Sequence, residues 1–600
     1  MKKILKSFIA IILSAALLMQ LSGCGLIPLA ILLIGNSSEQ TIEDPTTIPI
    51  DIPTDISYDR EDIPFSSLSY SRPDTDAIRS SIESLKKEIS SGADVQKVLA
   101  DYADILADYE HLDTMASLAY ILYSKDVTEE YYDNEYTYLV AEADDLDLLL
   151  TDLTIQMYET EGIGDALLDA YGPTFEVNAY KSKERNSEEI LDNLNRFTEI
   201  SSEYDTMLST FRMVYNGKEY SEDDLVNSYD GNYDEYMRKV NAFYSQMNEK
   251  IGPLFLELVQ NNKQIAQKLG YATFTEYQYE GYERDYSPED AKKIHQAVKD
   301  YLVPLYTDIY DDVYYYSGAA DYEDSISITY SDFLDKFTAA IYDLSPEMTE
   351  PLAYLQKNDL IDLEKNNNKM MTNYTIYLAD PHLPFIFMQW ENSFDNCATL
   401  THEFGHFAHY FLNPNYGWNV SDPLDIDEID SQGLELLMMK NYDTFYGSRK
   451  ADALRGSQLM EAIYVIISGC MEDEFQQTVY ESPDMTLEEI NQLYGRLAEE
   501  YGLADLFSYV GEEWVAIPHT FQSPLYYFSY AASMIVAVEL WILGQDNVNA
   551  AEDAYLTIQS RPEEARLRSL AQDCHLSDPI DPETIHEITS ALQSWMNGHF

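Results

Sequence analysis

The sequence predicts a mainly α-helical protein that carries a small β element. Apolar residues recur at steps of three and four over long stretches, for example across 233–269 and 288–316, and this period is typical of helices that bury one face. Only two short runs, 371–379 and 384–390, are rich in β-forming residues, and turn-forming residues flank both. With 600 residues, of which 45% are hydrophobic, the chain is large enough to bury a substantial core.

The first residues have the composition of a secretion signal. Lys2, Lys3 and Lys6 give a basic start, and an apolar run from about residue 8 to residue 21 follows. The run is too short for a full membrane span, and it ends in Leu-Ser-Gly-Cys at Cys24. This ending resembles the lipobox of bacterial lipoproteins, which implies a signal peptide over 1–23, a lipidated Cys24 and a location at the extracytoplasmic face of the membrane. The alternative is an uncleaved signal anchor in which Cys24 has no role.

Three further regions follow the signal peptide. Residues 24–64 contain repeated prolines and no helical period, so we expect a lipid-anchored tether between the membrane and the folded part. Residues 65–210 are predicted to form an N-terminal helical region, in which 163–185 has no regular pattern. The last region, 211–600, is expected to open with a hairpin around Asn216-Gly217, because this pair favours a tight turn.

Charge and cysteine content exclude two classes of protein. The chain has 37 Lys and Arg against 106 Asp and Glu, a formal net charge of -69, and such a surface repels nucleic acid. The same charge is typical of a strongly solvated surface. Besides Cys24 the chain contains Cys397, Cys470 and Cys574. Because three cysteines cannot all pair with one another, we expect no disulfide framework, and stability must come from packing.

The most informative segment contains three of the ten histidines within eight residues. His402 and His406 are four residues apart, so on a helix they lie one turn apart on the same face. Imidazoles in that arrangement can both bind one zinc ion at about 2.0–2.1 Å. Glu403 lies between them and is rotated away, where it can accept a proton from water at the metal instead of binding the metal. The alternative is a buried helix whose polar residues bond only to one another.

A catalytic zinc site also needs a third protein ligand and an open fourth position. Prolines and glycines end the first helix, and a second helix is predicted to begin near Leu424. Its acids Asp425 and Asp427 fit a solvated helix start. Glu428 and Glu435 are seven residues apart and share a face, so spacing alone leaves both as candidates for the third ligand. Either could bind the metal while the other holds an imidazole N–H.

The segments 401–409 and 428–435 together resemble the oligopeptidase F and thimet oligopeptidase family of zinc metallopeptidases. The family pattern is His-Glu-x-Gly-His-x-x-His, followed by a ligand glutamate that opens Glu-x-x-Ser-Gln-x-x-Glu, and both halves are present. The match implies one zinc ion per chain. It also names the residues of the site: the ligands His402, His406 and Glu428, the general base Glu403, and the supporting residues His409 and Glu435.

The resemblance is closer to the oligopeptidase F branch and covers about residues 190–590. It implies that 211–600 is the catalytic region and that two helical lobes surround a deep substrate channel, with the β element beside the zinc helix. The chain departs from the branch at one place. After Lys369 the branch usually has a Gly-Ala-type turn, whereas this chain has Met370-Met371-Thr372, so we expect a difference in the shape of the cleft.

A second cluster of polar side chains lies at 519–530. Peptide hydrolysis passes through an oxyanion that needs hydrogen-bond donors besides the metal. The resemblance assigns His519 and Tyr530 to this task, and it leaves Tyr526 and Tyr527 as rivals for the remaining donor. From the residues alone, packing is the simpler interpretation of this segment, because the chain contains 50 tyrosines.

The sequence therefore favours a membrane-tethered, zinc-dependent oligopeptidase that cleaves short peptides outside the cytoplasm. In the expected mechanism Glu403 takes a proton from the attacking water and later returns one to the leaving amine, while zinc, His519 and Tyr530 stabilise the oxyanion. One alternative is an inactive lipoprotein that only binds peptides, but such a protein has no need of Glu403. Another is a surface protein with a structural zinc site, which would use Cys or His at all four positions.

Overall fold

The computed structural model describes residues 60–187, 189–366, 368–413, 418, 423–507 and 511–600. The predicted signal peptide, Cys24 and most of the predicted tether therefore lie outside the described residues. The described part is mostly helical, with two small sheets, and this confirms the predicted fold class.

The elements follow one another in three groups. The N-terminal group consists of α1 (Thr75–Ser90), α2 (Val95–Lys125), α3 (Glu130–Tyr158), α4 (Ile163–Arg185) and α5 (Leu191–Ser209). The middle group consists of β1 (Met213–Tyr215), β2 (Lys218–Tyr220), α6 (Glu222–Val226), α7 (Tyr233–Leu269), α8 (Phe274–Gly281), α9 (Pro288–Ala297), α10 (Val303–Asp311), α11 (Ala319–Asp324), α12 (Tyr330–Leu344), α13 (Thr349–Lys357), β3 (Ile361–Asp362), β4 (Tyr374–Leu378) and β5 (Leu383–Phe387). The C-terminal group consists of α14 (Phe394–Leu412), α15 (Leu424–Met438), α16 (Tyr442–Tyr446), α17 (Ser448–Glu481), α18 (Leu487–Glu500), α19 (Leu503–Phe507), α20 (Pro518–Gln522), α21 (Phe528–Asp546), α22 (Val548–Gln559), α23 (Leu567–Asp573) and α24 (Pro582–His599).

The helices bury two apolar cores, which correspond to the two predicted lobes. The smaller core joins α1 to α4 and includes Ile82 and Phe175. Ile190 already belongs to the larger core, so the change of core falls ahead of the predicted domain boundary at residue 210. α2 contributes to both cores, because Leu112 lies in the smaller one and Ile121 in the larger one.

The segment 163–185, which the sequence predicted to be irregular, is helical, so that prediction is wrong. It forms α4, which is interrupted at Gly172, where φ is 80°. Pro173 follows directly, and proline is tolerated there because the first turn of a helix leaves its N–H groups unpaired in any case. The break interrupts the helical period in the sequence, which is why the pattern was not recognised.

The predicted hairpin is present. β1 and β2 pair in antiparallel fashion, with Tyr215 opposite Lys218. Asn216 and Gly217 between them have φ values of 51° and 77°, the left-handed conformation that a two-residue hairpin turn requires.

The predicted β element is a three-stranded sheet in the order β3-β5-β4. The central strand β5 is buried at every residue, and it pairs parallel with β3 and antiparallel with β4. β3 has only two residues, too few to give an alternating pattern, and the sequence did not predict it. Both β4 and β5 pack against α14, so the sheet lies beside the helix that carries the histidine motif.

A buried ion pair fixes the turn that leads into β4. Lys369 is buried, and its ammonium donates to Asp362 Oδ1 at 2.5 Å and to the Met388 carbonyl oxygen at 2.7 Å. Lys125, at the end of α2, pairs with the other carboxylate oxygen of Asp362 at 2.6 Å. Buried charges need such partners. The segment in which the chain departs from the family pattern, 370–372, is therefore tied to both the sheet and the N-terminal helices.

Helix α21 lies at the centre of the C-terminal group. By length and composition it could cross a membrane, but most of it is buried inside the protein. This burial is typical of the core helix of a globular protein. α21 packs against α15 and α17 and connects the two polar clusters described below.

Candidate metal centre

Two helices carry the three side chains of the predicted metal site. α14 is capped by Ser393 and is buried along most of its length. Its geometry places His402 and His406 next to each other, with ring centroids 5.1 Å apart. α15 begins at the predicted residue and brings Glu428 against both rings. All three side chains are buried, with 3%, 3% and 1% exposure.

The distances between these side chains fit one shared ion. Glu428 Oε2 lies 3.5 Å from His402 Nε2 and 3.7 Å from His406 Nε2. One ligand atom from each residue lies within 4.8 Å of the others. In a tetrahedral site with bonds of about 2.1 Å, neighbouring ligand atoms are about 3.4 Å apart. The two separations between Glu428 and the imidazoles match that value to within a few tenths of an ångström.

The structure gives different positions to Glu428 and Glu435, the two candidates for the third ligand. Glu435 does not face the ligand cluster but contacts the far side of His402, where Oε1 lies 2.7 Å from Nδ1. The other carboxylate oxygen of Glu435 accepts a hydrogen bond from Gln458 Nε2 at 3.0 Å. Since a carboxylate can only accept here, this contact puts a proton on Nδ1 of His402, and Nε2 faces Glu428.

In the described part of the chain, one buried nitrogen of the cluster lacks a partner that a metal ion would supply. His402 Nε2 is inaccessible to solvent and has no hydrogen-bond partner among the residues that the structure describes. A buried polar atom without a partner is costly, and a metal bond would remove that cost. Two imidazole nitrogens and one carboxylate oxygen are a known ligand set for catalytic zinc. The residues present therefore fit a zinc ion.

Glu403 has a different environment from the ligands. Its side chain is fully buried, and Oε2 accepts a hydrogen bond from the Thr375 hydroxyl at 2.7 Å. Burial raises the pKa of Glu403 to about 7, because the surrounding protein excludes the water that would solvate the carboxylate.

Burial and charge act in opposite directions on His402. Burial lowers its pKa, but the carboxylates of Glu435, Glu428 and Glu403 outweigh this effect and raise the pKa to about 9. Since a divalent cation binds the neutral imidazole, it would take the place of the proton. The negative charge around the buried imidazoles thus favours a bound cation.

A glycine allows the two ligand helices to approach each other closely. A Cβ added to Gly405 would lie 2.7 Å from Ser431 Cα and closer still to the Asp430 carbonyl oxygen. Such distances are shorter than van der Waals contact, so a side chain at residue 405 would push α14 and α15 apart. The glycine of the family pattern therefore has a packing role here.

Asp430, the residue that Gly405 contacts on α15, is held by an ion pair. Its carboxylate is fully buried and receives two parallel hydrogen bonds from Arg561, at 2.7 and 2.9 Å. His409, predicted to support the site, lies in the same layer, with Nδ1 3.0 Å from the Gln559 carbonyl oxygen. It thus joins α14 to α22.

Asp425 connects the ligand helix to α21, and its predicted solvated position is wrong, because only 2% of it is exposed. Its carboxylate accepts hydrogen bonds from Arg284 Nε at 3.1 Å, from the Ser529 hydroxyl at 2.6 Å and from the Tyr286 hydroxyl. The side chain of Arg284 is itself fully buried. Since Asp425 precedes Glu428 by one turn, this cluster fixes α15 against the start of α21.

The second predicted cluster surrounds His519, on the short helix α20. The imidazole stacks on Tyr526, with centroids 5.3 Å apart, and meets the rings of Tyr527 and Tyr530 edge to face. Its Nε2 lies 3.4 Å from the Tyr530 hydroxyl. Burial lowers the pKa of His519 to about 4, so the ring is neutral at physiological pH. Tyr530 follows Ser529, so the Asp425 cluster connects this group to the ligand helix.

The two rival tyrosines have different surroundings. Burial and the nearby Glu472 carboxylate raise the pKa of Tyr527 well above its usual value. Tyr526 instead packs against Tyr282, with ring centroids 6.3 Å apart. Both rings contact His519, and the role of the second donor stays a prediction for Tyr526 and Tyr527.

Sequence reasoning missed four residues that build the site. Thr375 contacts Glu403, Arg284 holds Asp425, Arg561 holds Asp430 and Gln458 contacts Glu435. None of them lies at a helical spacing from its partner, so periodicity gives no signal.

Replacing Gly405 tests the helix contact. We expect Gly405→Ala to weaken zinc binding by about tenfold or more, because the ligands on α14 and α15 no longer meet at one point. Gly598→Ala is the matched control, since an added Cβ at this position in α24 has nothing within 4 Å. Zinc affinity, measured by competition with a chromogenic chelator, should be unchanged in the control. Wild-type affinity and an unchanged melting temperature in Gly405→Ala would contradict the packing role.

Two segments of the chain match known families. Residues 348–574 match Peptidase family M3, and residues 65–175 match the Peptidase M3 N-terminal domain. The first segment contains His402, His406 and Glu428. Together the two segments make up more than half of the chain.

Curated relatives and solved structures agree with these matches. The chain is 29% identical to the oligoendopeptidase F homolog of Lactococcus lactis subsp. lactis (strain IL1403) over 192 residues, which are 30% of this chain and 31% of that protein. It is 23% identical to the oligopeptidase PepF of Bacillus subtilis (strain 168) over 267 residues, 42% of this chain and 37% of that protein. The alignments thus span about a third of the length of these relatives.

Two solved structures have the same fold. The structure of PZ peptidase A with inhibitor 2 aligns with a TM-score of 0.72 at 22% identity, over 89% of this chain and 99% of that chain. The structure of oligoendopeptidase-F from Enterococcus faecium aligns with a TM-score of 0.56 at 13% identity, over 87% and 97% of the two chains. With both matched segments placed on this fold, and with the His402–Glu428 cluster inside the larger one, the chain belongs to peptidase family M3.

Proposed function

We propose that the protein is a zinc-dependent oligopeptidase that hydrolyses short peptides. The observation that carries the proposal is the position of Glu403 beside a cluster that fits a single ion. The cluster consists of His402, His406 and Glu428, and the fully buried carboxylate of Glu403 belongs to the residue that follows His402. Membership of peptidase family M3 and similarity to oligoendopeptidase F proteins support it.

In the proposed mechanism the metal ion activates the reactants, and Glu403 transfers the protons. When zinc is bound, it supplies Lewis-acid activation of water and of the scissile carbonyl. Glu403 Oε1 has no hydrogen-bond partner among the described residues, so this oxygen is available to accept a proton from the attacking water. The same carboxylate then passes a proton to the leaving amine.

His519 and Tyr530 are the proposed donors to the oxygen that develops negative charge. His519 is neutral and can donate through one N–H, and the Tyr530 hydroxyl lies beside it. Both are buried among aromatic rings, where a hydrogen bond to a developing charge is stronger than in water. The Asp425 cluster sets their position relative to Glu428.

Short peptides are the substrates that this architecture favours. The two apolar cores define two helical lobes, and the family resemblance implies a channel between them that folded proteins are too large to enter. A peptide-length series therefore belongs to any test of the activity.

Substitution of the general base separates hydrolysis from metal binding. We expect Glu403→Gln to bind zinc like the wild type but to lose at least a factor of about a hundred in kcat, because the amide cannot accept the proton. Removal of zinc with a chelator should abolish cleavage of internally quenched peptides, and added zinc should restore it. The control is Glu391→Gln, a half-exposed glutamate in an ion pair just before α14.

Two outcomes would count against this function. Full activity of Glu403→Gln would contradict the proposed mechanism. Zinc-loaded wild-type protein that binds peptides without cleaving them would indicate the inactive peptide-binding lipoprotein instead.

We also propose that the enzyme is a lipoprotein tethered at the extracytoplasmic face of the membrane. This rests on the sequence of residues 1–64, with Cys24 at the end of the apolar run. We expect Cys24→Ala to lose lipid labelling and to leave the membrane fraction, whereas Cys574→Ala, a buried cysteine, should not. A wild-type N-terminal peptide that retains residues 1–23 and carries no lipid, measured by mass spectrometry, would contradict the proposal.

A further inference from the structure

The two carboxylate oxygens of Glu403 have unequal surroundings. Oε2 lies 2.7 Å from the Thr375 hydroxyl, which can only donate in this contact when the carboxylate is ionised. Oε1 is also inaccessible to solvent, but it has no hydrogen-bond partner within the described part of the chain. One oxygen of the buried carboxylate is therefore held, and the other is available for chemistry.

Two other buried carboxylates near the site, Asp430 and Asp425, are held by both oxygens. Asp430 receives two parallel hydrogen bonds from Arg561, and Asp425 receives hydrogen bonds on both oxygens. These contacts are typical of carboxylates that stabilise a fold. Glu403, which is held on one oxygen, differs from these two residues.

Thr375 is mounted rigidly. It lies on β4 opposite Ile386 of β5, and β5 is hydrogen-bonded on both sides, because it is the central strand. A β-branched side chain on such a strand has few rotamers, so the direction of its hydroxyl is well defined. The hydroxyl oxygen also lies 2.9 Å from the backbone carbonyl oxygen of Glu403. Because the hydroxyl has one proton, it donates to one of these two acceptors at a time, and the shorter distance favours Oε2.

We propose that Thr375 is a positioning residue, which holds Oε2 of Glu403 so that Oε1 takes the proton from the attacking water. This inference rests on the proposed function. In this step one O–H bond of water breaks and an O–H bond forms on Oε1, while the Thr375 hydroxyl keeps its own proton and continues to donate to Oε2. The proton is later passed from Oε1 to the leaving nitrogen, so Glu403 returns to its starting state.

Two substitutions of Thr375 distinguish the effect of its hydroxyl from that of its branched shape. Thr375→Val keeps the branched shape and removes the hydroxyl, and Thr375→Ser keeps the hydroxyl. A hydrogen bond to a charged group contributes about 1.5–3 kcal/mol, so we expect Thr375→Val to lower kcat by about tenfold to a hundredfold and to change KM by no more than about twofold. Thr375→Ser should retain most of the wild-type kcat.

Thr399→Val is the matched control. Thr399 is buried on α14, and its hydroxyl donates to the Asp395 carbonyl oxygen at 2.8 Å. This substitution removes a comparable hydroxyl near the site without touching Glu403, so its kcat should stay within about twofold of the wild type. Zinc content should be equal in all variants, since Thr375 is not a ligand.

A crystal structure gives a readout that does not depend on activity. We expect one conformation of the Glu403 carboxylate in the wild type and more than one, or a rotated one, in Thr375→Val. If the wild type cleaves peptides and Thr375→Val keeps its kcat, or if Thr375→Ser loses as much as Thr375→Val, the positioning role is wrong while the proposed function stands. If zinc-loaded wild type cleaves no peptide, the proposed function fails, and an unchanged Glu403 conformation in Thr375→Val would overturn the positioning role as well.

Discussion

The close approach of α14 and α15 is the constraint on which the whole site depends. Two imidazoles on one helix and a carboxylate on another can share an ion only if the helix backbones nearly touch. Gly405 makes this possible, because any side chain there would collide with Asp430 and Ser431. The contact then buries the Asp430 carboxylate, which in turn requires Arg561 as its partner. The geometry of the metal site and the buried Asp430–Arg561 pair thus both depend on the close packing of the two helices.

The carboxylates of the site differ by the number of donors that they accept from. Asp425 and Asp430 are held on both oxygens and fix helices, and Glu435 is shared between His402 and Gln458. Glu403 accepts one hydrogen bond from a side chain on the sheet. The small sheet therefore does more than support α14. It supplies the donor that orients the proposed general base, and the Lys369–Asp362 pair fixes the turn from which that strand starts.

Features that depend on residues close together in the sequence could be predicted, and contacts between distant residues could not. Helical spacing places His402 beside His406, and the turn residues after α14 locate the start of α15 at Leu424, because both features are local. The break at Gly172 hid a helix for the same local reason. The tie between Glu428 and Glu435 could not be broken by spacing, since only the packing of α15 decides which of them faces the two rings.

The contacts of Thr375, Arg284 and Arg561 were not predictable, because each joins elements that are far apart in the sequence. Asp425 illustrates the same limit. As an acid at a helix start it fits a solvated position, yet it is buried because Arg284 and Ser529 meet it there. Buried polar networks of this kind depend on the tertiary fold and leave no periodic signal in the sequence.

Anomalous diffraction at the zinc absorption edge tests the central claim most directly. In crystals of the zinc-loaded protein the account predicts one anomalous peak per chain, within about 2.3 Å of His402 Nε2, His406 Nε2 and a carboxylate oxygen of Glu428. Zinc-loaded crystals without a peak between these three side chains, or with the ion bound by Glu435 in place of Glu428, would contradict it.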